Sequence, residues 1–263
     1  MPDTPPITFT DGAAYETMMG VWSGLAGHVF LDWVAPAPGL RWADIGCGNG
    51  AFTELIATRC APASIDAIDP SEGQLEFASE RALAKPAEFY LGPANPLPFA
   101  DAAYDTAVMA LVIFFVPEPA KGVAEMARVL RPGGVASAYA WDILGGGFPW
   151  EAFWAQQRDF GLVPRQPPSV WASTLPALRA LWEGAGLVDV ETREITVERS
   201  FADFDEYWRI GQSAPGTAAL LAQMGEADAG RFMRQLRKRV PADASGKITL
   251  TAHANAVKGR LPD

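Results

Sequence analysis

The sequence predicts an α/β protein with a doubly wound, mostly parallel, seven-stranded sheet and a helical lid inserted into it. Short apolar runs alternate with helical patterns through the first half of the chain. Alternating strands and helices are joined by right-handed crossovers, which produce a parallel sheet with both faces covered. The apolar run at residues 107–116 agrees with this prediction, because a strand that is buried on both faces is apolar throughout.

Each element follows from a local pattern. The predicted strands lie at residues 41–45, 65–68, 89–91, within 105–115, and at 135–141, 188–201 and 247–257. Helices are predicted at about 71–84, at 175–185 and, with breaks near Pro215 and Gly225, over 202–239. A further helix carries Val123 and Met126 at helical spacing and ends at Pro132 and the two glycines after it, since proline and glycine stop helices.

The character of the sequence changes after Trp141. A run of three glycines follows closely, and aromatic residues and proline become frequent. We expect a single domain over residues 1–263, whose α/β core includes both ends of the chain. The lid that is added to this core is expected at about residues 145–174 and 202–244.

Composition and charge exclude several classes of partner. The chain has 263 residues and a formal net charge of −10, which repels the phosphates of nucleic acids. The run at 107–116 is too short to span a membrane, which needs about 20 residues. Two cysteines, Cys47 and Cys60, are too few for a disulfide framework or a metal cluster, so no metal is predicted. The first ten residues do not resemble a secretory signal, and a cytoplasmic protein is expected.

The most informative segment is Asp-Ile-Gly-Cys-Gly-Asn-Gly at residues 44–50, between the first strand and the first helix. Glycines allow turn conformations that are closed to other residues, and they let a ligand approach the main chain. The start of a helix adds unpaired N–H groups and partial positive charge. The segment therefore indicates a cofactor site, with a simple tight turn as the alternative.

Spacing and nearby carboxylates narrow the choice of ligand. The glycines follow the pattern Gly-x-Gly-x-Gly, whereas a dinucleotide fold has Gly-x-Gly-x-x-Gly. Asp44 lies two residues before the first glycine, where a carboxylate repels a pyrophosphate but suits a cationic sulfonium amino acid. Asp69 ends the second strand, where it can accept hydrogen bonds from both hydroxyls of a ribose or, alternatively, cap the next helix.

At this point the sequence resembles the class I S-adenosylmethionine (SAM)-dependent methyltransferases, especially the methyltransferase type 11 group. The resemblance covers about residues 15–141. It rests on residues 44–50, Ile-Asp-Pro-Ser at 68–71, Leu-Pro-Phe at 97–99, Tyr-Asp at 104–105 and Arg-Val-Leu-Arg-Pro-Gly-Gly at 128–134, in the family's order. It implies a Rossmann-like methyltransferase fold, SAM as the cofactor and methyl transfer to a small-molecule acceptor.

The resemblance also implies which residues bind SAM. Tyr15 and Trp22 match an N-terminal segment, at 10–34, that closes over the cofactor. The glycines would lie against the methionine portion, Asp69 would hold the ribose and Pro70 would pack on the adenine. The full predicted set is Tyr15, Trp22, Asp44, Gly46, Cys47, Gly48, Gly50, Asp69, Pro70, Ala94, Asn95, Ala110, Leu111 and Phe115.

Two positions depart from the family's pattern. Pro93 stands where the family usually has an aspartate that accepts a hydrogen bond from the adenine amino group, and Asn95 could replace it. Val21 stands where similar proteins often carry an arginine before the tryptophan. Both departures predict weaker SAM binding than is usual in the family.

Methyl transfer from a sulfonium needs mainly alignment, which can contribute about 7–11 kcal/mol, so no dedicated base is required. If the acceptor does need a base, Asp142 after the fifth strand is the candidate, and its alternative role is to cap the glycine turn that follows. The Trp- and Phe-rich lid is predicted to line an apolar acceptor pocket, with packing inside the lid as the alternative.

Two further functions stay open. A SAM-binding protein without methyl transfer is compatible with Pro93 and Val21, and an NAD-dependent oxidoreductase could use a similar sheet. Asp44 and the glycine spacing argue against NAD. The acceptor and the oligomeric state are not predicted.

Overall fold

The computed structural model describes residues 16–81, 87–212 and 215–263. The described residues form a seven-stranded sheet with flanking helices, which confirms the predicted fold class. The strands are β1 (Arg41–Ile45), β2 (Ser64–Asp69), β3 (Glu88–Leu91), β4 (Tyr104–Ala110), β5 (Leu130–Trp141), β6 (Val188–Phe201) and β7 (Ile248–Arg260). The helices are α1 (Val21–Val34), α2 (Ala51–Arg59), α3 (Glu72–Ser79), α4 (Pro119–Val129), α5 (Glu151–Asp159), α6 (Leu175–Gly184), α7 (Phe204–Gln212), α8 (Pro215–Gln223) and α9 (Glu226–Arg239).

The strand order is β3-β2-β1-β4-β5-β7-β6. Strands β1 to β5 are parallel, and β7 is antiparallel to both β5 and β6. The C-terminal ends of β1 to β6 therefore meet at one edge of the sheet. The chain winds outward in opposite directions from β1 and β4, and ligands of such sheets bind at this switch point.

Helices cover both faces of the sheet. On one face, Tyr139 of β5 contacts Phe30 of α1 and Phe52 of α2, with ring centroids 4.6 and 5.8 Å apart. On the other face, α6 packs beside α4, and Trp182 of α6 lies against Gly259 of β7. The apolar runs that predict the strands are thus buried between two helical layers, where each large side chain buried contributes about 1.5–3 kcal/mol.

Strands β6 and β7 extend beyond the rest of the sheet. The last residue of β5, Trp141, pairs with Ala254 of β7, which pairs with Ile195 of β6. β6 continues through residues 196–201, paired with 248–253 of β7. At about 3.3 Å per residue, this two-stranded ribbon reaches about 20 Å past the end of β5.

The two segments predicted to form a lid contact each other. Gln156 of α5 donates from Nε2 to Gln235 of α9 (2.9 Å), and Arg239 donates from Nε to Gln156 Oε1 (2.9 Å). Aromatic rings of both segments also meet, as between Phe153 and Phe232 (6.4 Å between centroids). Residues from 145–174 and 202–244 therefore pack as one helical layer.

Some bounds differ from the predictions. β5 begins at Leu130 rather than at residue 135, because the Pro-Gly-Gly turn sits inside the strand and Gly133 donates to the Leu261 carbonyl (3.0 Å). β7 continues to Arg260, where it still pairs with β5 and β6. The helix predicted at 71–84 ends at Ser79, and residues 82–86 lie outside the described residues. The breaks near Pro215 and Gly225 are confirmed, since α8 begins at Pro215 and α9 follows Gly225.

Candidate functional site

The glycine loop joins β1 to α2 at the switch point of the sheet. Gly46, Gly48 and Gly50 have φ values of 74°, 53° and 78°, in the left-handed region that favours glycine. The N–H groups of Gly46 and Cys47 donate to the carbonyl oxygen of Ile68 (2.7 and 3.0 Å). The loop is therefore fastened to the end of β2.

The glycines differ in the space around them. A Cβ on Gly46 would lie 2.4 Å from Val112 Cγ1, in the loop after β4, and a Cβ on Gly50 would lie 3.0 Å from the Cβ of Ala78. A Cβ on Gly48 would approach only Gln74 Oε1, at 4.0 Å. Gly46 and Gly50 are thus required by close packing, whereas the main chain at Gly48 borders free space that a ligand can enter.

Asp69 stands at the end of β2 beside this loop. Its Oδ2 accepts from the Gly48 N–H and its Oδ1 from the Ser71 N–H, both at 2.9 Å. Burial raises the pKa of Asp69, and the two N–H donors partly offset that rise. The side chain is 9% exposed, and each oxygen keeps a lone pair for a further donor such as a hydroxyl.

Asp44 is fully buried beneath the loop. Its Oδ2 accepts from Thr53 Oγ1 (2.7 Å), while its Oδ1 has no hydrogen-bond partner among the described residues. Burial raises the pKa of Asp44 to about 7, Thr53 lowers it and the charge of Asp69 raises it further. A carboxylate with one unsatisfied oxygen is costly in the interior, and a bound cation would relieve that cost.

The predicted adenine-side residues lie next to Asp69. Gly92, after β3, donates its N–H to the Asp69 carbonyl oxygen (3.0 Å), which brings the following loop to this end of the sheet. Ala94 and Asn95 in that loop are half-buried, and Pro70 is exposed. All of these groups border the same edge as the glycine loop.

The residues predicted after β4 border the loop from the other side. Leu111 has a φ of 62° and donates its N–H to the Tyr139 carbonyl (2.8 Å). Ala110 precedes it at the end of β4 and is half-buried. Phe115 is half-buried in a short 3₁₀ turn, with its ring 4.6 Å from that of Phe114.

The N-terminal predictions divide into two cases. Tyr15 lies outside the described residues. Trp22 is fully buried, and its ring lies 6.5 Å from that of Phe201 at the end of the ribbon. The role of Trp22 in closing over a cofactor stays a prediction.

Two further side chains have defined surroundings. Cys47 is buried, and burial raises the pKa of its thiol well above the ordinary value, which disfavours the reactive thiolate. Asp142 accepts from the Gly145 N–H through Oδ1 (3.1 Å), the capping role that the sequence offered as the alternative. Its role as a base stays a prediction.

A charged cluster around the loop was not found from the sequence. Arg81 donates from Nε to the Asn49 carbonyl (2.6 Å), from Nη1 to Glu54 Oε2 (2.6 Å) and from Nη2 to Glu16 Oε2 (2.7 Å). Asn49 Nδ2 also donates to Glu16 Oε2 (2.7 Å). This clasp of Glu16, Asn49, Glu54 and Arg81 ties the start of the described chain to the glycine loop. Its members are up to 65 residues apart, and no local pattern signals them.

Most lid aromatics pack on one another. Trp150 stacks on Tyr207 (5.2 Å between centroids) and meets Phe153 edge-on (5.8 Å), and Phe153 stacks on Trp208 (5.8 Å). This is the lid packing that the sequence left as the alternative to a pocket wall. Within residues 16–81, 87–212 and 215–263, no group of three His, Cys, Asp or Glu side chains could hold a metal ion. In the same ranges, the helices are too short or too polar to cross a bilayer.

Sequence comparisons find known proteins that are similar to part of this chain. Residues 43–138 match the family described as "Methyltransferase domain". Over 97 residues, 37% of this chain and 28% of the relative, the sequence is 40% identical to 2-methyl-6-phytyl-1,4-hydroquinone methyltransferase 2 of Oryza sativa. Over 107 residues, 41% of this chain and 44% of the relative, it is 36% identical to demethylmenaquinone methyltransferase of Renibacterium salmoninarum. The matches span less than half of the length of either relative.

Solved structures with a similar fold superpose on most of this chain. Phosphoethanolamine N-methyltransferase 2 of Haemonchus contortus, solved in complex with SAM, superposes with a TM-score of 0.59 at 18% identity, over 95% of this chain and 56% of that one. At this identity the match concerns the fold alone. Residues 43–138, which contain the glycine loop, Asp44 and Asp69, are therefore similar to methyltransferase domains.

Proposed function

We propose that the chain binds SAM at the glycine loop and transfers its methyl group to a small-molecule acceptor. The observation that carries the proposal is the pair of buried carboxylates on neighbouring strands, Asp44 under the loop and Asp69 beside it. One suits the cationic end of a sulfonium amino acid, and the other suits the hydroxyls of a ribose.

Features of the site fit this cofactor. The unsatisfied Oδ1 of Asp44 matches the positive charge of a methionine ammonium group. The free space at Gly48 lets a ligand lie against the main chain. Leu91, at the end of β3, and Pro70 are exposed apolar side chains near Asp69, suited to the face of an adenine.

The residues of the chain have simple tasks in this reaction. SAM supplies a methyl group that its positive sulfur already activates for in-line displacement. Asp69 and the glycine loop hold the donor in place, and Asp44 sets its orientation through the ammonium group. The N-terminal clasp and the lid exclude water from the cleft. Alignment of this kind can contribute about 7–11 kcal/mol without an acid or base.

The acceptor is proposed to be a small molecule. The two relatives named above are methyltransferases of a phytyl hydroquinone and of demethylmenaquinone, both small-molecule acceptors. The formal charge of −10 disfavours nucleic acid as an alternative. Two cysteines without a disulfide, Cys47 and Cys60, fit the reducing cytoplasm that the sequence predicts.

The ribose role of Asp69 gives a direct test. We expect Asp69→Asn to weaken S-adenosylhomocysteine (SAH) binding by about tenfold or more, since hydrogen bonds to a charged group contribute about 1.5–3 kcal/mol. Titration calorimetry measures this affinity. Asn preserves an acceptor oxygen for the Gly48 or Ser71 N–H, so the fold should be retained.

Asp66→Asn on the same strand is the matched control. Its carboxylate accepts from the hydroxyl of Tyr104 and has no place in the proposed site, so SAH binding should not change. Equal SAH affinity in wild type and Asp69→Asn would rule out the ribose role. Formation of SAH from SAM with phenol, hydroquinone and amine acceptors then tests methyl transfer itself, and binding without turnover on any acceptor would favour a SAM-binding protein that transfers no methyl group.

A further inference from the structure

Three buried hydrogen-bond donors surround Phe201 at the end of the ribbon. The rings of Trp22, Trp150 and Tyr207 lie 6.5, 6.0 and 5.2 Å from the Phe201 ring, measured between centroids. Trp22 and Tyr207 are 0% exposed and Trp150 is 4% exposed. Within the part of the chain that the structure describes, Nε1 of either tryptophan and the hydroxyl of Tyr207 have no hydrogen-bond partner.

Such donors are costly when they are left unsatisfied. Each buried polar group without a partner destabilises the fold, and most native indole N–H and phenol O–H groups are paired when buried. The three groups come from α1, from the residue before α5 and from α7. Three separate elements therefore bring unsatisfied donors to one place. An indole N–H can only donate, so a ligand that satisfies this set must present acceptor oxygens or nitrogens.

A positive charge lies on the same ring. The guanidinium carbon of Arg199 is 4.7 Å from the centroid of Phe201, and Arg199 Nη1 donates to the Met18 carbonyl (3.3 Å). No carboxylate among the described residues forms an ion pair with Arg199. The negative charge of Glu206 acts on Arg199 from a longer distance, and Glu206 Oε2 accepts a hydrogen bond from the Ala202 N–H (2.6 Å).

The electrostatics of Arg199 agree with its position. Burial lowers the pKa of Arg199, and the charge of Glu206 offsets only part of that effect. A half-buried guanidinium whose partners are a carbonyl oxygen and an aromatic face keeps several donors for an anion.

The location favours the acceptor over the cofactor. β6 lies four strand positions from β1, roughly 19 Å across the sheet at about 4.8 Å per strand. The ribbon carries Arg199 past the C-terminal edge, to the place where α1 and the lid meet. Asp44 and Asp69, the side chains proposed to bind the cofactor, lie far from β6 in the sheet, on β1 and β2.

We propose that Arg199, with the N–H groups of Trp22 and Trp150 and the hydroxyl of Tyr207, forms a subsite for a carboxylate group on the methyl acceptor. The inference rests on the proposed function, which it deepens by naming an acidic acceptor. Trp22 then belongs to the acceptor side of the cleft. The aromatic surroundings suit a carboxylate attached to an apolar or aromatic body.

The test compares carboxylates with their neutral amides. Benzoate with benzamide, and hexanoate with hexanamide, are titrated into SAH-loaded protein and followed by tryptophan fluorescence. Wild type should prefer at least one carboxylate over its amide by about tenfold or more. Arg199→Gln should abolish this preference, and Arg199→Lys should keep part of it because the charge remains.

Two further variants complete the design. Arg193→Gln is the matched control, an exposed arginine on the same strand, and should keep the full preference. Tyr207→Phe should weaken carboxylate binding several-fold in a folded protein, which provides a second reading if Arg199→Gln fails to fold.

Four results would overturn the proposal. Two concern wild type: no binding of either carboxylate, or equal binding of acid and amide. The other two concern Arg199→Gln: a preference for the carboxylate that survives, or a tenfold loss of SAH affinity. That last result would place the carboxylate of the cofactor at Arg199. Failure of the proposed SAM site is distinguishable, because wild type would then not bind SAH at all, while the carboxylate titrations can be run without SAH. Failure of methyl transfer alone is distinguishable too, because SAH would then bind but no acceptor would be methylated.

Discussion

At the scale of single residues, neighbouring glycines of one loop have different tasks. A Cβ at Gly46 would collide with Val112, whereas Gly48 borders free space and donates its N–H to Asp69. The sequence predicts that both face a cofactor, because the spacing Gly-x-Gly-x-Gly carries no information on which position is packed. That distinction depends on Val112, 66 residues away, and only the folded chain brings the two together.

This difference predicts opposite effects for two equivalent substitutions. Gly46→Ala should lower the free energy of unfolding by about 2 kcal/mol or more, because its Cβ clashes with Val112 and its φ is positive. Gly48→Ala should cost only the backbone strain, about 1–2 kcal/mol, but should weaken SAH binding by more than that strain explains. Urea denaturation and titration calorimetry of the two variants measure this. Equal destabilisation with unchanged SAH affinity for Gly48→Ala would contradict the assignment.

Asp44 predicts a dependence of stability on pH. Its pKa is about 7 in the folded chain and about 3.9 when unfolded, so the folded state binds the extra proton between these values. The contribution of Asp44 to the free energy of unfolding is greatest below a pH of about 4 and declines as the pH rises to about 7. A bound cation favours the ionised form, so SAH affinity should rise with pH toward neutrality.

Melting temperatures with and without SAH, from pH 5 to 8, check this expectation. Asp44→Asn should flatten the pH dependence of both quantities, and the contribution of Asp69, whose pKa is raised in the same direction, should remain. A wild-type stability that rises across this range and is unchanged by Asp44→Asn would show that the carboxyl is ionised in the unliganded fold.

At the scale of elements, each predicted strand corresponds to a strand of the structure because it is a continuous apolar or alternating run, although β5 and β7 are longer than predicted. The strand predicted at 188–201 matches β6 in both bounds. The sequence does not reveal that residues 196–201 project past the sheet, because strand pairing is set by partners on β7. The donors around Phe201 and the clasp at the glycine loop escape prediction for the same reason, since their members come from separate elements.

The clasp predicts that the N-terminal segment contributes to cofactor binding. Glu16→Gln removes the charge that Arg81 and Asn49 share, and we expect a loss of SAH affinity of less than about tenfold, since partly exposed ion pairs contribute about 0–1 kcal/mol each. The salt dependence of SAH binding should also decrease, because screening acts on exposed pairs. Glu80→Gln, at an exposed glutamate next to Arg81, is the control and should change neither quantity. A Glu16→Gln variant that binds SAH at low salt as tightly as wild type would show that the clasp does not contribute to SAH binding.

At the scale of the whole molecule, the glycine loop, the buried carboxylates and the ribbon lie at one edge of the sheet. The glycine loop, Asp69 and the ends of β3 and β4 meet at the switch point, and the ribbon extends past the same edge on the far side of the sheet. This arrangement follows from strand order, which alternating strands and helices predict in outline. Strand order does not encode the acceptor, which in our proposal depends on side chains such as Arg199 and Tyr207.

A calorimetric titration of the purified protein with SAM and SAH, with NAD as the control ligand, tests directly whether the chain binds SAM. We expect saturable binding of both SAM and SAH in a one-to-one ratio and no binding of NAD, because an ionised Asp44 repels a pyrophosphate and attracts a cation. Binding of NAD, or of none of the three ligands, would contradict it.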